Sequence, residues 1–90
     1  MKIGDNVVVE ENVEILKNVE IGHNVVIHSG TRISEGVLIS DNVIICEHSD
    51  LEDKVLVGMK SLIIPGVKIA EGKIIPHPKR QFQMIFFRSS

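Results

Sequence analysis

Two histidines bring the chemistry-bearing residue types of this chain closest together. His23 and His28 stand five residues apart in Gly22-His23-Asn24-Val25-Val26-Ile27-His28. Imidazole exchanges a proton near neutral pH, so either ring could act as general base on a hydroxyl or amine. Neutral imidazole also ligates Zn or Fe. Glu10 lies eighteen residues before His28 and Cys46 eighteen residues after it, and carboxylate and thiolate can bind the same metals. The cations gather late: Lys60, Lys68, Lys73, Lys79 and Arg80 could form an anion site. Other reactive types read as structural. Cys46 reads foremost as an outward thiol of little reactivity, His48 as a turn residue, and His77, between two prolines, as part of a solvated linker.

What positions these side chains is a repeat of six. Thirteen six-residue units run from Ile3 to Arg80 without insertion or deletion, and each opens on a branched aliphatic, from Ile3, Val9 and Ile15 to Ile63, Ile69 and Ile75. The fifth position is Val, Ser or Thr until it lapses to Lys73 and Lys79. The fourth is Asn or Gly in nine of the first twelve units, with His48, Lys54 and Lys60 as departures. A period of six is neither helix nor simple strand. It marks a solenoid in which a short strand and a turn alternate and each rung buries its apolar face on the next. Asn and Gly tolerate positive φ, which a sharp bend between flat faces demands.

Units such as Ile3-Gly4-Asp5-Asn6-Val7-Val8 and Ile21-Gly22-His23-Asn24-Val25-Val26 resemble the hexapeptide repeat. The resemblance implies an all-β fold, a left-handed parallel β-helix with three units per triangular coil. That gives about four coils over residues 1–75 and a tail or cap over residues 76–90. Eighteen residues per coil would stack Glu10, His28 and Cys46 in one column, with His23 on the column beside it. In the tail, Pro76-His77-Pro78 stops strand pairing, and Phe82, Ile85 and Phe86 need burial as either a strand or a helical turn.

Composition bounds the function. The net charge is -2, yet residues 1–53 hold eleven Asp and Glu against three Lys and Arg, and residues 54–90 hold one Glu against seven Lys and Arg. In a solenoid, order along the chain is height, so one end is acidic and the other basic. The basic set lacks the density and aromatic interleaving of a nucleic-acid face. No apolar run is long enough for a membrane span, and a single cysteine fits a reducing cytoplasm.

Three readings stand. The segment Val57 to Ile69 resembles the late coils of both hexapeptide acyltransferases and γ-class carbonic anhydrases. The likeness to acyltransferases implies a homotrimer that moves an acyl group from acyl-CoA to a small molecule in the groove between neighbouring prisms. His23 or His28 would be the base, and Lys60, Lys68, Lys73, Lys79 and Arg80 would meet the donor's phosphates. The segment Gly22 to His28 resembles the Gly-His-x4-His element of γ-class carbonic anhydrases. That resemblance implies a Zn or Fe site of His23, His28 and Glu10 across a trimer interface, although the family's third histidine is replaced by Glu10. The third reading is a non-catalytic assembly module, which the uninterrupted repeat suits.

Overall fold

The computed structural model describes residues 1–78 and 84–85. It is all-β, a parallel solenoid of about four coils built from two-residue strands. The first sheet stacks β1 (Lys2–Ile3), β4 (Glu20–Ile21), β7 (Leu38–Ile39), β10 (Leu56–Val57) and β13 (Ile74–Ile75). The second stacks β2 (Val8–Val9), β5 (Val26–Ile27), β8 (Ile44–Ile45), β11 (Leu62–Ile63) and β14 (Met84–Ile85). The third stacks β3 (Glu14–Ile15), β6 (Arg32–Ile33), β9 (Asp50–Leu51) and β12 (Lys68–Ile69).

Each of the first thirteen strands, β1 to β13, ends on the repeating aliphatic, which turns inward from Ile21 to Ile75. The register is fixed at eighteen residues per coil, as in Lys2↔Glu20, Val8↔Val26 and Glu14↔Arg32. A parallel pair needs a long connection. Here the other two sides of the triangle supply it. The last pairing departs from the rule: Met84 stands opposite Leu62, an offset of twenty-two.

The core is one column. Every inward aliphatic from Ile21 to Ile75 is buried, and so are the fifth-position residues from Val19 to Val67. Fully burying one such side chain contributes roughly 1.5–3 kcal/mol. Three fifth-position residues are polar, and their hydroxyls are satisfied on the spot. Thr31 donates to the Cys46 carbonyl at 3.0 Å, Ser49 donates to the same carbonyl at 3.0 Å, and Ser61 donates to the Gly58 carbonyl at 2.7 Å. The first coil is open at its base, where Ile3 and Val9 stay exposed.

The corners explain the fourth position. All twelve such residues from Asn6 to Gly72 have positive φ, including His48, Lys54 and Lys60. From Asn24 onward their N–H groups reach down one coil: Asn24 donates to the Asp5 carbonyl at 2.9 Å, His48 to Ser29 at 3.0 Å and Lys60 to Asp41 at 3.0 Å. Asn and Gly take this conformation at little cost, whereas lysine and histidine are strained by it.

The outward residues differ from sheet to sheet. The second sheet presents Val8, Val26, Ile44 and Leu62 in register. The first presents Lys2 and Glu20, then Leu38, Leu56 and Ile74. The third presents Glu14, Arg32, Asp50 and Lys68, alternating in charge. Arg32 pairs with Glu14 at 3.4 Å and Lys68 with Glu52 at 3.1 Å. One face is therefore self-neutralised and wettable, and one is apolar throughout its first four rungs.

Candidate functional site

Glu10, His28 and Cys46 each follow a strand of the second sheet, so the register places them in one column at the corner leading to the third sheet. The lower two meet. Glu10 Oε1 lies 3.0 Å from His28 Nδ1. A carboxylate has no proton to donate, so Nδ1 carries the proton and donates it to Oε1. The same oxygen accepts the Ser29 N–H at 3.2 Å, which holds the carboxylate in place. The tautomer that results leaves His28 Nε2 with its lone pair. A histidine held this way by a carboxylate is suited to accept a proton from a reacting group. The ring is partly exposed, with 31% of its side-chain surface open to solvent, so a ligand can reach it.

His23 is built differently. It follows β4 at the corner between the first and second sheets, the opposite edge of the second sheet from His28. Its Nδ1 accepts the backbone N–H of Asp5 at 2.8 Å. Its own backbone N–H donates to Asp41 Oδ1 at 2.8 Å. Asp5, His23 and Asp41 thus form a ladder in which the His23 and Asp41 side chains each cap the coil below. Glycines make room for it: a Cβ on Gly4 would come within 2.6 Å of His23 Nδ1, and one on Gly22 would collide with Asp41 Oδ1. In this tautomer Nε2 carries the proton, so it has no lone pair for a substrate or a metal.

The structure therefore separates the two histidines in one chain. Among the described residues no three His, Cys, Asp or Glu side chains come together to hold a metal ion. Glu10 turns its Oε1 to His28, and His23 has its Nδ1 occupied. The set His23, His28 and Glu10 does not fit a metal centre within one chain. Cys46 completes the column without joining the dyad. Burial pushes its thiol above the ordinary range, and the Glu47 carboxylate adds to the effect.

The late lysines are spread around coil four. Lys60 occupies a corner before β11, Lys68 projects from β12, and Lys73 precedes β13. Lys68 is engaged by Glu52, whose carboxyl is held below its ordinary range chiefly by that hydrogen bond. Lys60 and Lys73 have no ion-pair partner among the described residues. Lys79 and Arg80, and the tail aromatics Phe82 and Phe86, lie outside the described residues. Among the described residues no helix is long and apolar enough to cross a membrane.

The sequence reading overlooked Asp5 and Asp41. The signal was present, since each stands eighteen residues from His23, one coil down and one coil up.

A family model described as bacterial transferase hexapeptide (six repeats) matches residues 1–35. No curated protein matches the chain.

Proposed function

We propose that this chain, whose matched repeats and stacked parallel coils fit the hexapeptide-repeat β-helix superfamily, is an acyltransferase with His28 as its general base. The observation that carries this reading is the 3.0 Å contact of Glu10 Oε1 with His28 Nδ1. Nε2 takes the proton of an acceptor hydroxyl or amine as the acceptor attacks the carbonyl carbon of a thioester. The carbon–sulfur bond then breaks, and the proton on Nε2 passes to the departing thiolate. The imidazolium formed in between is stabilised by the Glu10 carboxylate at Nδ1. His23 has a structural part in this scheme, as the cap between the first and second coils.

The donor in this reading is acyl-CoA. Lys60 and Lys73 are the cations left for its phosphates in coil four, because Lys68 is engaged by Glu52. Sister chains meet on the second sheet. The outer column Val8, Val26, Ile44 and Leu62 is uninterrupted by charge, and the dyad borders it. Burying such a face favours association. Three copies closing a ring would set the dyad beside a groove between chains. The same face also suits a non-catalytic assembly module, so activity and assembly must be measured separately.

The test is release of free coenzyme A from acetyl-CoA by purified protein, supplied with a panel of small amines and alcohols. Turnover in the wild type that disappears in His28→Asn, with assembly unchanged, supports the reading. An assembled wild type that turns over nothing in the panel and binds no coenzyme A contradicts it and favours the assembly module.

A further inference from the structure

A groove of about 310 Å³ opens on the first sheet, away from the dyad. Its apolar part is formed by Leu38 and Met59 over the Gly22 and Ser40 backbone, and its polar rim by Lys2, Glu20 and Asp41. The size is at the lower end for small-molecule sites. Leu38 and Met59 are 39% and 44% exposed, so the apolar part faces solvent uncovered.

The charges in the groove do not cancel. Lys2 and Glu20 stand opposite one another in register without forming an ion pair, and the lining carries two carboxylates against one ammonium. Asp41 has no ion-pair partner among the described residues. Its carboxylate is also fixed in place, since Oδ1 accepts the His23 N–H at 2.8 Å. Oδ2 remains available to a ligand. A held carboxylate next to a short apolar trough complements a primary ammonium group on an alkyl chain.

We propose that this groove binds alkylammonium compounds, with the ammonium on Asp41 and the alkyl chain on Leu38 and Met59. The binding is independent of the dyad and does not require that His28 be catalytic. Asp41→Asn is an informative variant, because the amide oxygen can still accept the His23 N–H while the charge is gone.

The experiment is a titration of the whole chain with n-pentylammonium, n-pentanol and pentanoate, followed by amide chemical shifts. Pentylammonium should saturate, with shifts centred on Gly22, Ser40 and Asp41. Asp41→Asn should weaken it by about tenfold, and His28→Asn should leave it unchanged. Pentanoate should not compete. Equal responses to ammonium and carboxylate, or full affinity in a folded Asp41→Asn, would overturn the proposal. Should Asp41→Asn lose its fold, salt decides on the wild type. Added salt must weaken pentylammonium and leave pentanol unaffected, and an affinity for pentylammonium that salt does not change rejects the site.

Discussion

Glu10 and His28 stand eighteen residues apart in sequence and one coil apart in space, with Oε1 and Nδ1 separated by 3.0 Å. The fold makes this contact from its period alone, because from Glu20 to Ile75 each strand residue sits above the one eighteen before it. His23 obeys the same period and meets a backbone N–H instead. Two histidines five residues apart are therefore held in opposite tautomers, and only one of them offers a lone pair at Nε2.

The dyad predicts a graded loss of activity. His28→Asn removes the base and should lower kcat by about 10²–10⁴-fold. Glu10→Gln keeps an acceptor for Nδ1 but removes the charge that stabilises the imidazolium, and should cost about 10–100-fold. His23→Gln should leave the rate within about twofold, provided the fold persists. Steady-state kinetics on the three variants checks this order. A His23 variant as damaged as the His28 variant would reverse the assignment.

Assembly should depend on the second sheet. Ile44 is 41% exposed at the middle of its apolar column. Ile44→Lys places a charge there and should shift the sedimenting species towards the single-chain mass of 10.0 kDa. Lys68→Glu on the third sheet should leave the mass of the assembly unchanged. If both variants assemble like the wild type, the contact lies elsewhere.

Strain at the corners can be relieved. Lys54 has a φ of 60° at a position where Asn recurs. Lys54→Asn should raise stability by about 0.5–1 kcal/mol, read from the urea midpoint at unchanged slope. A lower midpoint would mean that Lys54 contributes more through its side chain than its backbone conformation costs.

Much of this was legible in the residues. The aliphatic at every sixth site from Ile3 to Ile75 gave the inward column, and Asn6, Asn12, Gly30 and Gly36 marked the corners. His48, Lys54 and Lys60 take the same conformation, so there the period is a better guide than residue type. Stacking of Glu10 under His28 also follows from the period. Ring orientation does not, because it depends on which groups lie within 3 Å or so of each nitrogen. The scatter of Lys60, Lys68 and Lys73 does follow from the period, because they fall at different positions of three successive units, but reading charge by height alone hides it. Residues that share height need not share a side.

Two titrations follow from local contacts. Burial, with Glu47 beside it, raises the Cys46 pKa, so less thiolate is present at a given pH than for an ordinary thiol. Iodoacetamide should therefore label the folded chain more slowly than the urea-unfolded chain near pH 8, and Glu47→Gln should recover part of the difference. Equal rates would mean that the thiol is unperturbed.

Glu52 has the opposite shift, lowered chiefly by the Lys68 hydrogen bond. A carboxyl whose folded pKa is depressed binds fewer protons in the folded state. Its contribution is therefore present above the unfolded pKa and fades as pH falls through the folded one. Glu52→Gln should flatten the loss of stability on acidification below about pH 4.5, and salt should shrink the difference, because the pair is exposed. Denaturation midpoints across that range read both effects.

The most direct test of the account is a nitrogen-15 spectrum correlating the imidazole nitrogens of His23 and His28 with their ring protons near neutral pH. The account predicts His28 with its proton on Nδ1 and a bare Nε2, and His23 with its proton on Nε2. A His28 ring protonated on Nε2 alone, or the same tautomer at both residues, would contradict it.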